Sequence, residues 1–354
     1  MEQHLDALFN VYAKEHHFAG AALIKGRGHT LFARAYGFAH RGFKIPNTIS
    51  TMFDTASVTK LFTAVAILQL VEQGRLGLNE RITDIIDLTG TKIPTDVTIR
   101  HLLTHTSGIA DDADEELGES YEELFIEKPN YAIRGCGDFI PQFAYKEPKF
   151  KAGTDISYNN CAYVLLGLAI EKVTNTSYRD FVEQYIFRVC GMKNTSFSSK
   201  DEGDSAVAEG YAAIFNKNNE ITWKKNIYSF PPIGTSDGGA FTTVGDLDLF
   251  MRALVNGQLL SAEMTEEIMK PQTEHVRRYE WGSIINGYGF HFVYDQAGKL
   301  MRMYKDGSNA GVAAMLAYYP ETETTSVILG NQTCNIWELH WKAEQVIGSK
   351  YFKK

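Results

Sequence analysis

Ser57-Val58-Thr59-Lys60 opens the apolar run Leu61-Phe62-Thr63-Ala64-Val65-Ala66-Ile67-Leu68, which ends at Glu72-Gln73-Gly74. That run predicts a buried helix with Gly74 as its C-terminal stop. Residues three apart share a helix face, so the Lys60 amine reaches the Ser57 hydroxyl. A serine hydroxyl is a weak nucleophile near neutral pH and needs a base beside it. A lysine in apolar surroundings supplies one, because burial disfavours its charged form. A polar helix start with a snorkelling lysine accounts for the same four residues, so the motif needs support elsewhere.

Two further motifs give that support. Tyr158-Asn159-Asn160 follows the polar stretch Gly153-Thr154-Asp155-Ile156-Ser157 and precedes the apolar Ala162-Tyr163-Val164-Leu165-Leu166. A phenol and a carboxamide therefore sit on a loop leading into a helix. Lys305-Asp306-Gly307-Ser308 follows a predicted strand, Leu300-Met301-Arg302-Met303-Tyr304. Gly307 lets a backbone approach a ligand closely.

In this order the three motifs resemble the serine β-lactamase and penicillin-binding protein superfamily, nearest its class C-like branch. That branch holds class C β-lactamases, D-alanyl-D-alanine carboxypeptidases, D-amino-acid amidases and esterases. Thr98 to Gly108, Gly191 to Phe197 and Gly238 to Thr243 look like further family segments. The resemblance makes Ser57 the acylated nucleophile, Lys60 its proton acceptor and Tyr158 a partner in proton transfer. It has Asn160 hold the Lys60 amine and the substrate amide, and Lys305 supply positive potential at the far wall. Gly307 and Ser308 line the same wall, and the backbone N–H groups of Ser57 and Ser308 form an oxyanion hole. Two such fixed donors lower an acyl-transfer barrier by roughly 3 kcal/mol each. No cofactor and no metal are called for.

One departure bears on substrate. Penicillin-binding relatives carry Lys-Thr-Gly and many esterases carry His at the first position, whereas this chain has Lys305-Asp306-Gly307. The cation suits a substrate carboxylate. Asp306 would repel one if it pointed inward, whereas alternation along the strand is expected to turn it outward. Esterase and amidase both stay open.

The 354 residues, 44% hydrophobic and 22% charged, fit a globular enzyme of one large domain or two lobes. A net charge of −8 argues against nucleic acid as a partner. Met1 to Phe9 lacks the pattern of an export signal, and no run reaches transmembrane length. It reads as an amphipathic helix with Leu5, Leu8, Phe9 and Tyr12 on one stripe. Cys136, Cys161, Cys190 and Cys334 show no metal-ligand spacing and suit a reducing compartment, so a cytoplasmic location is expected.

Gly20 to Lys25 and Thr30 to Gly37 predict a hairpin about Gly26-Arg27-Gly28-His29. Strands are expected at Tyr288 to Val293, Val312 to Tyr319 and Thr325 to Leu329, and a helix at Trp337 to Ile347. The expected fold is α+β: an antiparallel sheet flanked by helices, plus an inserted, mainly helical lobe. Residues 1–75 and 195–354 would form the sheet lobe and 76–194 the helical lobe, with the active site between them.

Three patterns invite other readings. The acidic stretch Asp111 to Glu127 reads as a solvated segment or as a negative rim of the cleft. His101 and His105, four apart, read as structural for want of a third ligand. Gly234-Thr235-Ser236-Asp237-Gly238 has the spacing of a nucleophile elbow, but Pro231-Pro232 precedes it, so a glycine-rich loop is expected. The whole then reads as a serine hydrolase that cleaves a small-molecule or peptide amide or ester and takes β-lactams as ligands. A binding or sensor module of the same fold, acylated once without turnover, is the alternative. Oligomeric state is left open.

Overall fold

Arg27 and Gly28 both adopt positive φ, 48° and 79°. That twist closes a tight hairpin between β1 (Gly20–Gly26) and β2 (His29–Tyr36). The computed structural model describes residues 1–114, 118–119, 121–218 and 220–351. Six later strands complete the sheet: β3 (Val276–Tyr279), β4 (Gly282–Asn286), β5 (His291–Asp295), β6 (Leu300–Asn309), β7 (Val312–Tyr319) and β8 (Thr324–Gly330). Their order is β2-β1-β8-β7-β6-β5-β4-β3, with every pairing antiparallel.

At its centre the sheet is buried on both faces. All residues of β7 are buried. Ala313, Met315, Ala317 and Tyr319 face one layer, while Ala314, Leu316 and Tyr318 face the other. The first layer is α1 (Glu2–Glu15), through Leu5, Phe9 and Tyr12, and the C-terminal α5 (Ile336–Tyr351), through Ile336, Leu339, Ala343 and Ile347. The second layer holds α2 (Lys60–Glu72), α3 (Asn160–Thr174) and α4 (Val244–Val255).

Helix α2 is apolar all round, which is how a helix reads when neighbours enclose it. Phe62 meets Phe187 and Phe250 edge-on, with ring centroids 5.0 and 4.9 Å apart. Gly74, with φ +66°, ends the run as expected. Between residues 76 and 194 the described elements are helical apart from one isolated bridge, Arg81 to Thr98. No helix among the described residues is long and apolar enough to cross a membrane.

The structure corrects several sequence expectations. Ser57 lies on a 3₁₀ turn, Ala56–Thr59, that runs into α2 at Lys60, so the helix proper starts three residues late. The strand predicted at Leu300 to Tyr304 runs on as β6 through Lys305 to Asn309. The strand expected from Tyr288 begins only at His291, because Gly289 turns the chain with φ +78° and Gly287 N–H closes on the Phe290 carbonyl at 2.8 Å. A hairpin of Tyr211–Phe215 with Ile221–Lys225 was not expected at all.

Candidate active site

Ser57 is held where three segments meet. Phe53–Asp54 pairs with Phe241–Thr242, fixing the chain just before the serine. Thr55 binds the Ala240 carbonyl through both its N–H and its hydroxyl, each at 2.9 Å. Thr59 Oγ1 accepts the Ala240 N–H at 3.0 Å. Gly307 brings β6 against this turn: a Cβ there would stand 2.2 Å from the Thr55 carbonyl oxygen and 2.9 Å from the Ser57 nitrogen. Any side chain would push the strand off the serine.

Lys60 is fully buried. Its Nζ donates to Ser57 Oγ at 3.1 Å, to Asn160 Oδ1 at 2.7 Å and to the Asp237 carbonyl. Tyr158 OH donates to Ser57 Oγ at 2.7 Å. The serine oxygen thus lies between an amine and a phenol, both able to carry a proton. Lys60 and Lys305 stand 5.1 and 4.8 Å from the Tyr158 ring centroid, on a face that attracts cations.

Tyr158 and Asn160 owe their places to the start of α3. Asn159 Oδ1 caps the helix by accepting Ala162 N–H at 2.6 Å. Asp111 accepts the N–H groups of Asn160 and Cys161, each at 2.9 Å, where a carboxylate also suits the helix dipole. His105, with φ 60°, accepts Asn159 N–H through Nδ1 at 3.2 Å, and its ring lies 4.5 Å from that of Tyr158. Burial, with Lys305 and Lys60 nearby, holds His105 well below the ordinary histidine range, so it stays neutral. His101 closes a capping box with Thr98. Both rings thus hold backbone N–H groups in place.

The far wall is β6. Lys305 is buried on the same face as Met303, while Asp306 shares the opposite face with Tyr304 and its cross-strand partner Met315. Burial pushes Lys305 down to about 8. Among the described residues no carboxylate lies within ion-pair distance of its Nζ. A cleft of about 70 Å³ opens beside Ser57, lined also by Asp112, Tyr121, Asn160 and Gly238, and β6 reaches it through Ser308 and Asn309.

The acidic stretch divides. Asp111 and Asp112 are buried, not solvated: Asp111 caps α3, and Asp112 accepts from Tyr121 OH at 3.2 Å. Burial, then Asp111 and Asp237, push Asp112 well above the usual carboxylate range. Tyr121 OH in turn accepts from Asn160 Nδ2 at 2.8 Å. Asp114 pairs with Lys149 at 2.6 Å. Glu115 and Glu116, and the side chains of Glu122 and Glu127, lie outside the described residues.

Other sequence candidates fall away from the chemistry. Ser236 is fully buried, with Oγ 3.3 Å from Cys136 Sγ, so the glycine-rich segment is a loop and not an elbow. It still serves the site, because the Asp237 carbonyl binds Lys60. Cys161 is buried and its thiol is pushed well up by burial. Asp111, Asp112 and Cys161 lie close enough to share an ion. However, both Asp111 oxygens already accept backbone N–H groups.

A Beta-lactamase family model matches residues 5–342. Penicillin-binding protein 4* of Bacillus subtilis (strain 168) is 27% identical over 341 residues, which is 93% of this chain and 72% of that protein. A solved penicillin binding protein from Bacillus halodurans superposes with a TM-score of 0.88 at 34% identity, covering 97% of this chain and 99% of that one. The D-amino acid amidase of Ochrobactrum anthropi SV3 shares the fold, with a TM-score of 0.74 at 20% identity over 98% of this chain and 96% of its own.

Proposed function

The chain belongs to the beta-lactamase family, within the superfamily of serine β-lactamases and penicillin-binding proteins, and on that footing we propose that it is a serine hydrolase working through an acyl-enzyme on Ser57. The observation that carries the reading is the double contact on Ser57 Oγ, from Lys60 Nζ at 3.1 Å and Tyr158 OH at 2.7 Å. As Oγ bonds to the substrate carbonyl carbon, its proton passes to the Lys60–Tyr158 pair. The carbonyl oxygen becomes an oxyanion facing the backbone N–H groups of Ser57 and Ser308. Collapse expels the amine or alcohol, which takes the proton from the same pair. Water, deprotonated there in its turn, then attacks the ester carbonyl and frees Ser57. Lys60 and Tyr158 act as one coupled unit in these transfers.

Asn160 keeps Lys60 aimed at the serine and offers its amide to the substrate. Lys305 draws a substrate carboxylate to the far wall, and the turning away of Asp306 supports that role. The preferred substrate is accordingly an amide or peptide bearing a carboxylate, with small activated esters as secondary substrates. The lobes 1–75 with 195–354 and 76–194 would work as one catalytic unit, the cleft being their junction.

Intact-mass spectrometry after mixing with benzylpenicillin, with Ser57→Ala as control and turnover of a nitrophenyl ester followed in parallel, tests the reading. Ser57-dependent acylation with ester turnover is expected. An adduct that persists while no ester turns over would favour a sensor instead. Ester turnover that survives Ser57→Ala would remove the serine from the chemistry.

A further inference from the structure

The geometry points to the Asp54–Lys200 ion pair as the device that positions the Ser57 nucleophile, by clamping the strained residue before it. The inference rests on Ser57 being the nucleophile. Ala56 has φ +42°, a conformation that residues with a Cβ seldom adopt unless their surroundings impose it. Its N–H donates to Asp54 Oδ1 at 2.8 Å, and its carbonyl accepts from Gly239 N–H at 3.3 Å. The other Asp54 oxygen, Oδ2, takes Lys200 Nζ at 2.7 Å. One carboxylate therefore ties the turn's backbone to a cation from a distant part of the chain.

The cation is itself anchored. Lys200 Nζ lies 3.1 Å from the centroid of the Phe230 ring, and Phe230 packs with Ala56 and Val312. Lys200 N–H donates to the Pro232 carbonyl at 2.7 Å. Lys200 and Asp54 are only 12% and 9% exposed, so each charge depends on the other for its place. Burial lowers Lys200 while Asp54 opposes that shift, consistent with a charged pair. The two side chains also stand on the boundary shared by the catalytic cleft and a larger cavity of about 480 Å³.

Asp54 and Lys200 are positioning residues, and their loss should appear in the rate of acylation and not in substrate affinity. The probe is the burst of acylation by p-nitrophenyl acetate, measured on the full chain. Lys200→Met is expected to lower the maximal acylation rate roughly 100-fold while the half-saturating concentration moves less than about threefold. Lys200→Arg, which keeps a cation on Asp54, should return the rate to within roughly tenfold of wild type. Should Lys200→Met fail to fold, Asp54→Leu combined with Lys200→Met removes both charges at similar volume and should show the same loss. A folded variant without the pair that acylates at the wild-type maximal rate overturns the inference, as does a loss confined to half-saturation. Wild-type protein that forms no Ser57-dependent adduct would instead strike the nucleophile assignment and the clamp with it.

Discussion

The two faces of the sheet solve different problems with the same strands. Against α1 and α5, β7 presents Ala313, Met315, Ala317 and Tyr319, and the polar groups of that layer include the Arg302–Glu344 ion pair and the buried His340, which meets Tyr319 OH. Against the opposite layer, one strand over, β6 presents Lys305, and the neighbouring turn buries Lys60, Asp54 and Lys200. Burying a large apolar side chain contributes about 1.5–3 kcal/mol, whereas an unpaired buried charge costs several. Both faces bury apolar side chains and so stabilise the fold, and the cleft face in addition holds the reacting amine and its charged neighbours out of water.

The strongest way to break this division is Lys60→Ala. Single-turnover acylation should fall by at least roughly 10⁴-fold, as completely as in Ser57→Ala. Acylation at near-native rate would take the base from Lys60 and leave its buried amine unexplained. Leu339→Ala tests the other face. It should cost about 2–5 kcal/mol in urea unfolding yet leave kcat unchanged. A kcat that falls with stability would mean that the faces are energetically coupled through β7.

Lys305 sharpens the comparison on a finer scale. With its amine pushed down by burial to about 8, it is charged below that pH and neutral above it. For carboxylate-bearing substrates kcat/KM should then fall about tenfold per pH unit above pH 8, while neutral esters escape that loss. Lys305→Ala should reproduce the difference at neutral pH. An equal effect on both substrate classes would assign Lys305 to general electrostatics instead of carboxylate recognition.

How much of this was legible follows the same division. The apolar face could be read from periodicity alone: Leu5, Phe9 and Tyr12 lie on one stripe of α1, and β7 and β8 fall where their apolar runs stand. Ser57 and Lys60 were legible because their contact is local, three residues along one turn. Tyr158, Asn160 and Lys305 were legible as motifs, and only by resemblance could they be brought to one cleft. The rest depends on long-range or backbone partners, which leave no local pattern. Lys200 meets Asp54 from 146 residues away. The Asp237 contact uses a carbonyl that any residue would offer. The hairpin of Tyr211–Phe215 with Ile221–Lys225 is half exposed and lacks clean alternation, so its pattern gave no strand signal.

Strand β7 has a consequence for motion. Every one of its residues is buried, and it is paired on both sides, with β6 and β8. Its amides should exchange with deuterium only when the whole molecule opens, and β6, hydrogen-bonded to it through Lys305 to Ser308, belongs to the same slow unit. The wall that carries Lys305, proposed to meet a substrate carboxylate, would then be fixed over many turnovers. Any adjustment to substrates of different size would then fall to the opposite side of the cleft, which Asp112 and Tyr121 line.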